Sequence, residues 1–71
     1  MRIVYDQGSD TLAITLRDVR IRESDEVRPG VIADFGDDGE IVRYEILAAS
    51  RVMAQPKAVA YELIEAAAAA P

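Results

Sequence analysis

The feature that most constrains this chain is a strict alternation of apolar and polar residues near its start. From Leu12 to Arg17, apolar side chains alternate with small or polar ones, which is the two-residue period of a strand with one buried face. Residues 6–10 are dense in turn formers, and a short β-rich segment precedes them. We therefore expect a hairpin in which Leu12 lies opposite Tyr5.

The next thirty residues predict three more strands. Residues 19–27 alternate weakly and are heavily charged, as is typical of an edge strand. Pro29-Gly30 predicts a tight turn, because proline presets φ for its second position and glycine supplies the positive φ that follows. Residues 31–35 and 41–47 then form the central hairpin around the loop 36–39.

The length of that loop predicts the register of the central hairpin. A four-residue connection sets Ala33 opposite Val42 and places Asp34 diagonal to Arg43, within reach of an ion pair.

The period changes after Ala48, where apolar residues recur at helical steps. Residues 49–54 are expected to form a turn or short helix, and Pro56 suits the start of a main helix over 57–69.

The fold class predicted is α+β, a small antiparallel sheet of four or five strands with a C-terminal helix packed on one face. One domain is expected over 1–71, with a β-meander-like sheet over 1–47 and a helical segment over 48–71. We expect Val59, Leu63 and Ile64 to pack on one face of the sheet. The residues of that face are Ile3, Tyr5, Leu12, Ile14 and Leu16.

Length and composition exclude several classes of function. Seventy-one residues with no Cys and no His bury a small core that neither disulfides nor a metal bound by imidazole can support, so we expect self-association. The net charge of −5 disfavours nucleic-acid binding, which needs a positive face. A mean hydropathy near zero disfavours a membrane span. The N-terminus lacks the apolar core of a secretory signal, so a cytoplasmic location is expected.

The residue types leave little catalytic chemistry. Without His or Cys there is no imidazole base and no thiolate nucleophile, and the serines at 9, 24 and 50 lie where turns or helix caps are expected. We expect no catalytic residues, no cofactor and no metal site.

The acidic hairpin tip (Asp37, Asp38 and Glu40) lacks the spacing of a calcium loop. Asp6 and Asp10 could act as an acid–base pair, but each also suits bonding to its own turn.

The second face of the predicted sheet mixes charged and apolar side chains. One helix covers only one face, so this side must meet water, a second copy or another protein. We expect it to be the face for a partner or for oligomerisation, and it is composed of Ala13, Thr15, Ile32, Asp34, Ile41, Arg43 and Glu45.

Several short motifs follow one another in an order that resembles a known family. They are Tyr5-Asp6, Asp10 to Leu16, Glu26 to Asp34, Gly39 to Val42 and Glu45 to Ser50. Together they are similar to a widespread family of small prokaryotic proteins that is classed only as a domain of unknown function. The resemblance implies a small antiparallel sheet with a C-terminal helix and supplies no activity or site residues. The chain departs from the pattern at Ala13, where an aromatic residue is frequent, and at Ala48, where Asp is common.

Three classes of function remain open from the sequence. The first is a small, non-enzymatic protein-interaction or regulatory module, working as a homo-oligomer (a dimer) or with a small protein partner. The second is a small enzyme that depends on carboxylates and a metal, and the third is a purely structural homo-oligomer. No nucleic acid and no membrane is expected as a partner.

Overall fold

The computed structural model of the protein describes residues 1–67 and shows an antiparallel sheet of five strands with one short helix. The α+β class and the predicted antiparallel sheet of four or five strands are confirmed, with five strands present. The strands are β1 (Arg2–Asp6), β2 (Thr11–Thr15), β3 (Ile21–Arg28), β4 (Val31–Gly36) and β5 (Ile41–Ile46), and the helix is α1 (Ala49–Val52). Across the sheet the strands lie in the order β1-β2-β5-β4-β3. The strongly charged β3 is therefore an edge strand, as predicted.

The first hairpin has the predicted register. Tyr5 lies opposite Leu12 and Ile3 opposite Ile14, with the turn over residues 7–10. The turn between β3 and β4 also forms where expected, and Gly30 adopts a φ of 78°, which a residue without a Cβ reaches without strain.

The predicted register of the central hairpin is wrong by two residues. Ala33 lies opposite Tyr44 rather than Val42, and Asp34 lies directly opposite Arg43 rather than diagonal to it. The difference arises because β4 continues to Gly36 and a bulge places Val42 outside the regular pairing. A shift of two residues keeps each side chain on its predicted face, whereas a shift of one would have inverted them.

The sheet is not a simple meander, because β5 lies between β2 and β4. Residues 16–20 therefore cross the ends of β5 and β4 to reach β3 at the far edge. The crossing is held by the backbone, since the N–H groups of Leu16 and Arg17 both donate to the carbonyl of Val42, at 2.7 and 3.3 Å. Gly36 lies beneath it, where a Cβ would come within 3.2 Å of the Val42 side chain.

The first face of the sheet, defined by the side chains that share a side with Leu12, is apolar. Two cross-strand rows build it, Tyr5–Leu12–Ile46–Val31 and Ile3–Ile14–Tyr44–Ala33. Leu12 and Ala33 are buried, as are Val42 and Ala49, while most of the other members are half-buried. The core is therefore thin, and much of this face stays accessible.

The C-terminal helix predicted over 57–69 is wrong for the part that the structure describes. Helical structure after β5 is confined to α1, which fits the short helix predicted over 49–54, and residues 58–67 have no regular secondary structure. Val59, Leu63 and Ile64 are 60, 70 and 83% exposed, so they do not seat on the sheet. Residues 68 and 69 of the predicted helix lie outside the described residues. The physical reason is that a helix of this length is marginal in water unless its apolar stripe packs on something.

Within residues 1–67, no helix is long and apolar enough to cross a bilayer.

Candidate functional site

The second face of the sheet, opposite the apolar first face, gathers most of the residues predicted as a partner surface. The register places them in two adjacent rows, and Ile41 alone departs, because the bulge at Val42 sets it opposite Phe35. The rows are Ala13–Glu45–Ile32 and Thr15–Arg43–Asp34, running across β2, β5 and β4. Six of the seven therefore share one face of the sheet, and their role as a partner surface stays a prediction.

A buried carboxylate is the centre of this face. Asp34 is fully buried, and its Oδ2 accepts a hydrogen bond from Arg43 Nε at 2.8 Å. Its Oδ1 accepts a short hydrogen bond from Ser24 Oγ, across the pairing of β3 and β4. A second ion pair joins Arg43 Nη2 to Glu45 Oε2 at 3.5 Å. Three strands thus contribute to one network, in which Arg43 lies between two carboxyl groups.

Asp34 and Glu45 respond to this network in opposite directions. Burial raises the pKa of Asp34, but hydrogen bonds from Ser24, Arg43 and Glu45 together outweigh burial and hold that pKa below its ordinary value. The pKa of Glu45 is raised, first by its hydrogen bond to Asp34 and then by burial and the negative charge of Asp34. The shared site therefore favours the ionised form of Asp34 more strongly than that of Glu45.

The buried polar atoms of this network all have hydrogen-bond partners. Among residues 1–67, every buried side-chain nitrogen or oxygen has a hydrogen-bond partner. Arg43 also compensates the charge of the buried Asp34, so the carboxylate at the centre of the second face is not left unpaired. Such a surface can be covered by another protein at a lower desolvation cost than an unpaired charge would impose.

The acidic hairpin tip has a structural role that the sequence indicated only in part. Arg17 binds Asp38 in a bidentate ion pair, with Nη1–Oδ2 at 2.7 Å and Nη2–Oδ1 at 3.0 Å. Arg17 also donates to the carbonyls of Glu40 and Ile41. The hydrogen bonds from Arg17 and from the Glu40 N–H lower the pKa of Asp38 to about 2. Asp38 therefore joins the crossing segment to the hairpin.

The acidic residues do not assemble into a metal site in the part of the chain that the structure describes. Within residues 1–67, no group of three or more acidic side chains is arranged to hold a metal ion.

The two aspartates of the first turn do not form a pair. Asp6 Oδ1 accepts the Gly8 N–H at 3.0 Å, which is the turn role that the sequence predicted. Asp10 instead accepts the Tyr5 hydroxyl at 2.6 Å, and both the Oγ and the N–H of Ser50, at 2.6 and 3.0 Å. The hydrogen bonds from Ser50 and Tyr5 lower the pKa of Asp10, and the bond to Asp10 raises that of Tyr5.

Three of these residues were missed as members of networks. Ser24 lies in β3 rather than in a turn, Ser50 bonds Asp10 from the first turn of α1, and Arg17 forms an ion pair with Asp38. A signal was present for Ser24, because a serine in a strand opposite an inward-facing aspartate is suited to bonding it. The other two contacts join residues far apart in the chain, and local patterns carry no information about them.

The chain belongs to a family of proteins of unknown function, DUF2283, whose model matches residues 2–50. The match runs from the start of β1 into α1, so it contains the whole sheet, the Asp34 network and the Asp10–Ser50 contact. The resemblance noted from the motifs is therefore confirmed. No curated protein matches the chain, and no solved structure does.

Proposed function

We propose that this protein is a small, non-enzymatic protein-interaction module that binds through the second face of its sheet. The observation that carries the proposal is the network in which the buried Asp34 is held by the partly exposed Arg43, itself paired with the partly exposed Glu45, in the middle of the second face. A charged cluster fixed in this way orients a partner and excludes unsuitable ones, while the neighbouring small and apolar groups supply contact area.

The neighbours of the network suit protein contact. Ala13 and Ile32 lie on either side of Glu45 and are both half-buried. Ala13 contributes little height, so the surface beside Glu45 is shallow, and a second sheet or a helix can approach it closely. The molecule that binds this face is a small protein partner or a second copy of the chain. If a second copy is the sole partner, the protein is a purely structural homo-oligomer.

A charge placed on this face tests the proposal. Ile32→Glu should leave the sheet folded, as circular dichroism would show, while reducing association in sedimentation and recovery of a partner from lysate of the source organism. Val27→Glu places the same charge on the exposed edge strand β3 and should leave both unchanged. Equal association and an equal set of recovered proteins for the wild type and Ile32→Glu would contradict the proposal.

A second candidate is a carboxylate-dependent enzyme, favoured by one specific observation. Asp34 and Glu45 have pKa values displaced in opposite directions, an arrangement that acid–base catalysts use. The geometry supports it less well, because Asp34 is fully buried. In addition, the cavity of about 460 Å³ beside Arg43 is lined by residues such as Arg2, Thr15 and Arg17, and by neither carboxyl group.

Glu45→Gln distinguishes the two candidates. The amide keeps the size and polarity of the side chain, so an interaction surface should keep its partner, whereas an acid–base catalyst would lose its activity. Partner recovery that falls as strongly for Glu45→Gln as for Ile32→Glu would contradict the expectation that Glu45 contributes shape and polarity to this face.

A further inference from the structure

The two edges of the sheet differ in a way that distinguishes one of them as a pairing edge. β3, at one edge, carries two register irregularities and is mostly charged. Bulges and charges are the devices by which edge strands avoid pairing with other chains. β1, at the opposite edge, pairs with β2 in an unbroken register over all five residues and contains no proline or bulge.

The outer edge of β1 is also open. In the described part of the chain, the backbone hydrogen bonds of β1 are those it makes with β2, and no turn or loop residue forms a backbone hydrogen bond with it. Ile3 and Val4 are 37 and 41% exposed. An open, regular and apolar edge strand is a template for another strand.

The sequence of β1 is complementary to itself when read in the opposite direction. It begins with Arg2 and ends with Asp6, with Ile3, Val4 and Tyr5 between them. In an antiparallel pair of two β1 strands centred on Val4, Arg2 of each copy lies opposite Asp6 of the other, and Ile3 lies opposite Tyr5. Opposite charges and pairs of aromatic and β-branched residues are both favourable across strands.

Backbone geometry restricts the alternatives to this register. In an antiparallel pair related by a twofold axis, a residue whose N–H and C=O groups point towards the other copy must lie opposite a residue of the same kind. The axis therefore passes beside a residue and not between two residues. Centring on Ile3 or on Tyr5 shortens the paired segment and places no Arg opposite an Asp. Centring on Val4 uses the whole strand and forms both ion pairs.

We infer that β1 is a dimerisation edge, where a second copy of this chain adds its own β1 antiparallel about Val4 to form one continuous ten-stranded sheet. The twofold axis is perpendicular to the sheet, so the apolar first faces of both copies lie on the same side and become one larger surface. This contact goes beyond the proposed function, because it uses the edge of the sheet and leaves the Asp34 network on the second face unoccupied.

Cysteine cross-linking tests the register directly, since the chain has no cysteine of its own. In the inferred dimer the Cβ atoms at position 4 lie about 5 Å apart, within a small adjustment of the roughly 4 Å that a disulfide spans. Val4→Cys treated with diamide should form a covalent dimer in high yield at micromolar concentration. Val27→Cys on β3 is the matched control, because Val27 is 42% exposed, and it should remain monomeric on denaturing gels. Equal cross-linking of the two variants, or none of Val4→Cys, would overturn the inference.

Charge reversal provides an independent test. Arg2→Glu places like charges at both ends of the paired segment and should weaken the dimer at least about tenfold, which corresponds to about 1.4 kcal/mol. Asp6→Arg does the same with positive charges. Mixing the two variants restores both ion pairs, so native mass spectrometry should show a heterodimer in excess of either homodimer. A statistical mixture of species would contradict the inferred register, and a dimer dispersed by Ile32→Glu but not by Arg2→Glu would assign dimerisation to the second face instead.

Discussion

Asp10 and Ser50, forty positions apart in the chain, are joined by two hydrogen bonds between the first turn and α1. The Ala49 N–H also donates to the backbone carbonyl of Asp10, at 2.9 Å. The N-cap residue of α1 is Ala48, whose side chain forms no hydrogen bond with the helix. Asp10 therefore satisfies N–H groups at the start of α1 that a helix cannot satisfy by itself.

Asp10→Asn should loosen α1 and reduce the stability of the fold. The asparagine amide nitrogen cannot accept a hydrogen bond, so part of the contact with Tyr5 or Ser50 is lost. Urea unfolding at neutral pH and hydrogen exchange of the Ser50 amide would measure the loss. Asp6→Asn is the control with a single turn bond, and exchange at Ser50 that is equal in both variants would contradict this role.

The Arg17–Asp38 ion pair should make stability depend on pH in the acid range. The folded pKa of Asp38, about 2, lies below its ordinary value of 3.8, so the stabilisation from this carboxylate is present above the unfolded pKa and is lost as the pH falls through the folded pKa. Thermal unfolding of the wild type and Asp38→Asn should therefore differ at pH 6 and converge towards pH 2. Asp37→Asn is the neighbouring control, and a difference between wild type and Asp38→Asn that persists at pH 2 would refute the assignment.

Ala48 should be a site where glycine is stabilising. Ala48 has a φ of 50° and a ψ of 46°, the left-handed region that an alanine Cβ disfavours. Ala48→Gly relieves that strain and should raise the free energy of unfolding by up to about 1 kcal/mol, measured by urea denaturation. Ala49→Gly should have the opposite effect, because Ala49 is fully buried within α1. A loss of stability in Ala48→Gly would show that the strain is absent.

Two leucine truncations should separate the sheet core from the C-terminal segment. Leu12 is 6% exposed, so Leu12→Ala should cost roughly 2–5 kcal/mol, a large share of the stability of a domain this small. Leu63 is 70% exposed, so Leu63→Ala should change stability by less than about 0.5 kcal/mol. Chemical denaturation of both variants checks the contrast, and a large cost for Leu63→Ala would mean that this residue packs against the fold after all.

Much of the sheet was predictable because its determinants are local. Alternation set the face of Leu12 and Ile14, the turn formers set the first hairpin, and Pro29-Gly30 set the turn before β4. Faces depend on whether a position is odd or even, so even the register error in the central hairpin left Asp34 and Arg43 on the face where they were expected. The residues that share the second face could therefore be assigned from the sequence, apart from Ile41.

The amphipathic pattern of residues 57–67 shows where a local rule is insufficient. A helical period states which side chains would share a face, but it does not supply the surface on which that face must pack. Without such packing, the cost of helix nucleation is not recovered, and Leu63 and Ile64 remain exposed.

By itself the sequence determined the strands, their faces and the turns, because those depend on side-chain period and on the conformational preferences of neighbouring residues. The order of the strands, the bulge at Val42 and the contacts of Arg17 with Asp38 and of Asp10 with Ser50 were decided only by tertiary structure. Each of these depends on groups that are distant in the chain, and the crossing segment over the ends of β5 and β4 contributes those at Val42 and Asp38. Local conformational preferences cannot predict these contacts, because the favourable free energy of each contact arises only when the fold has brought both partners together.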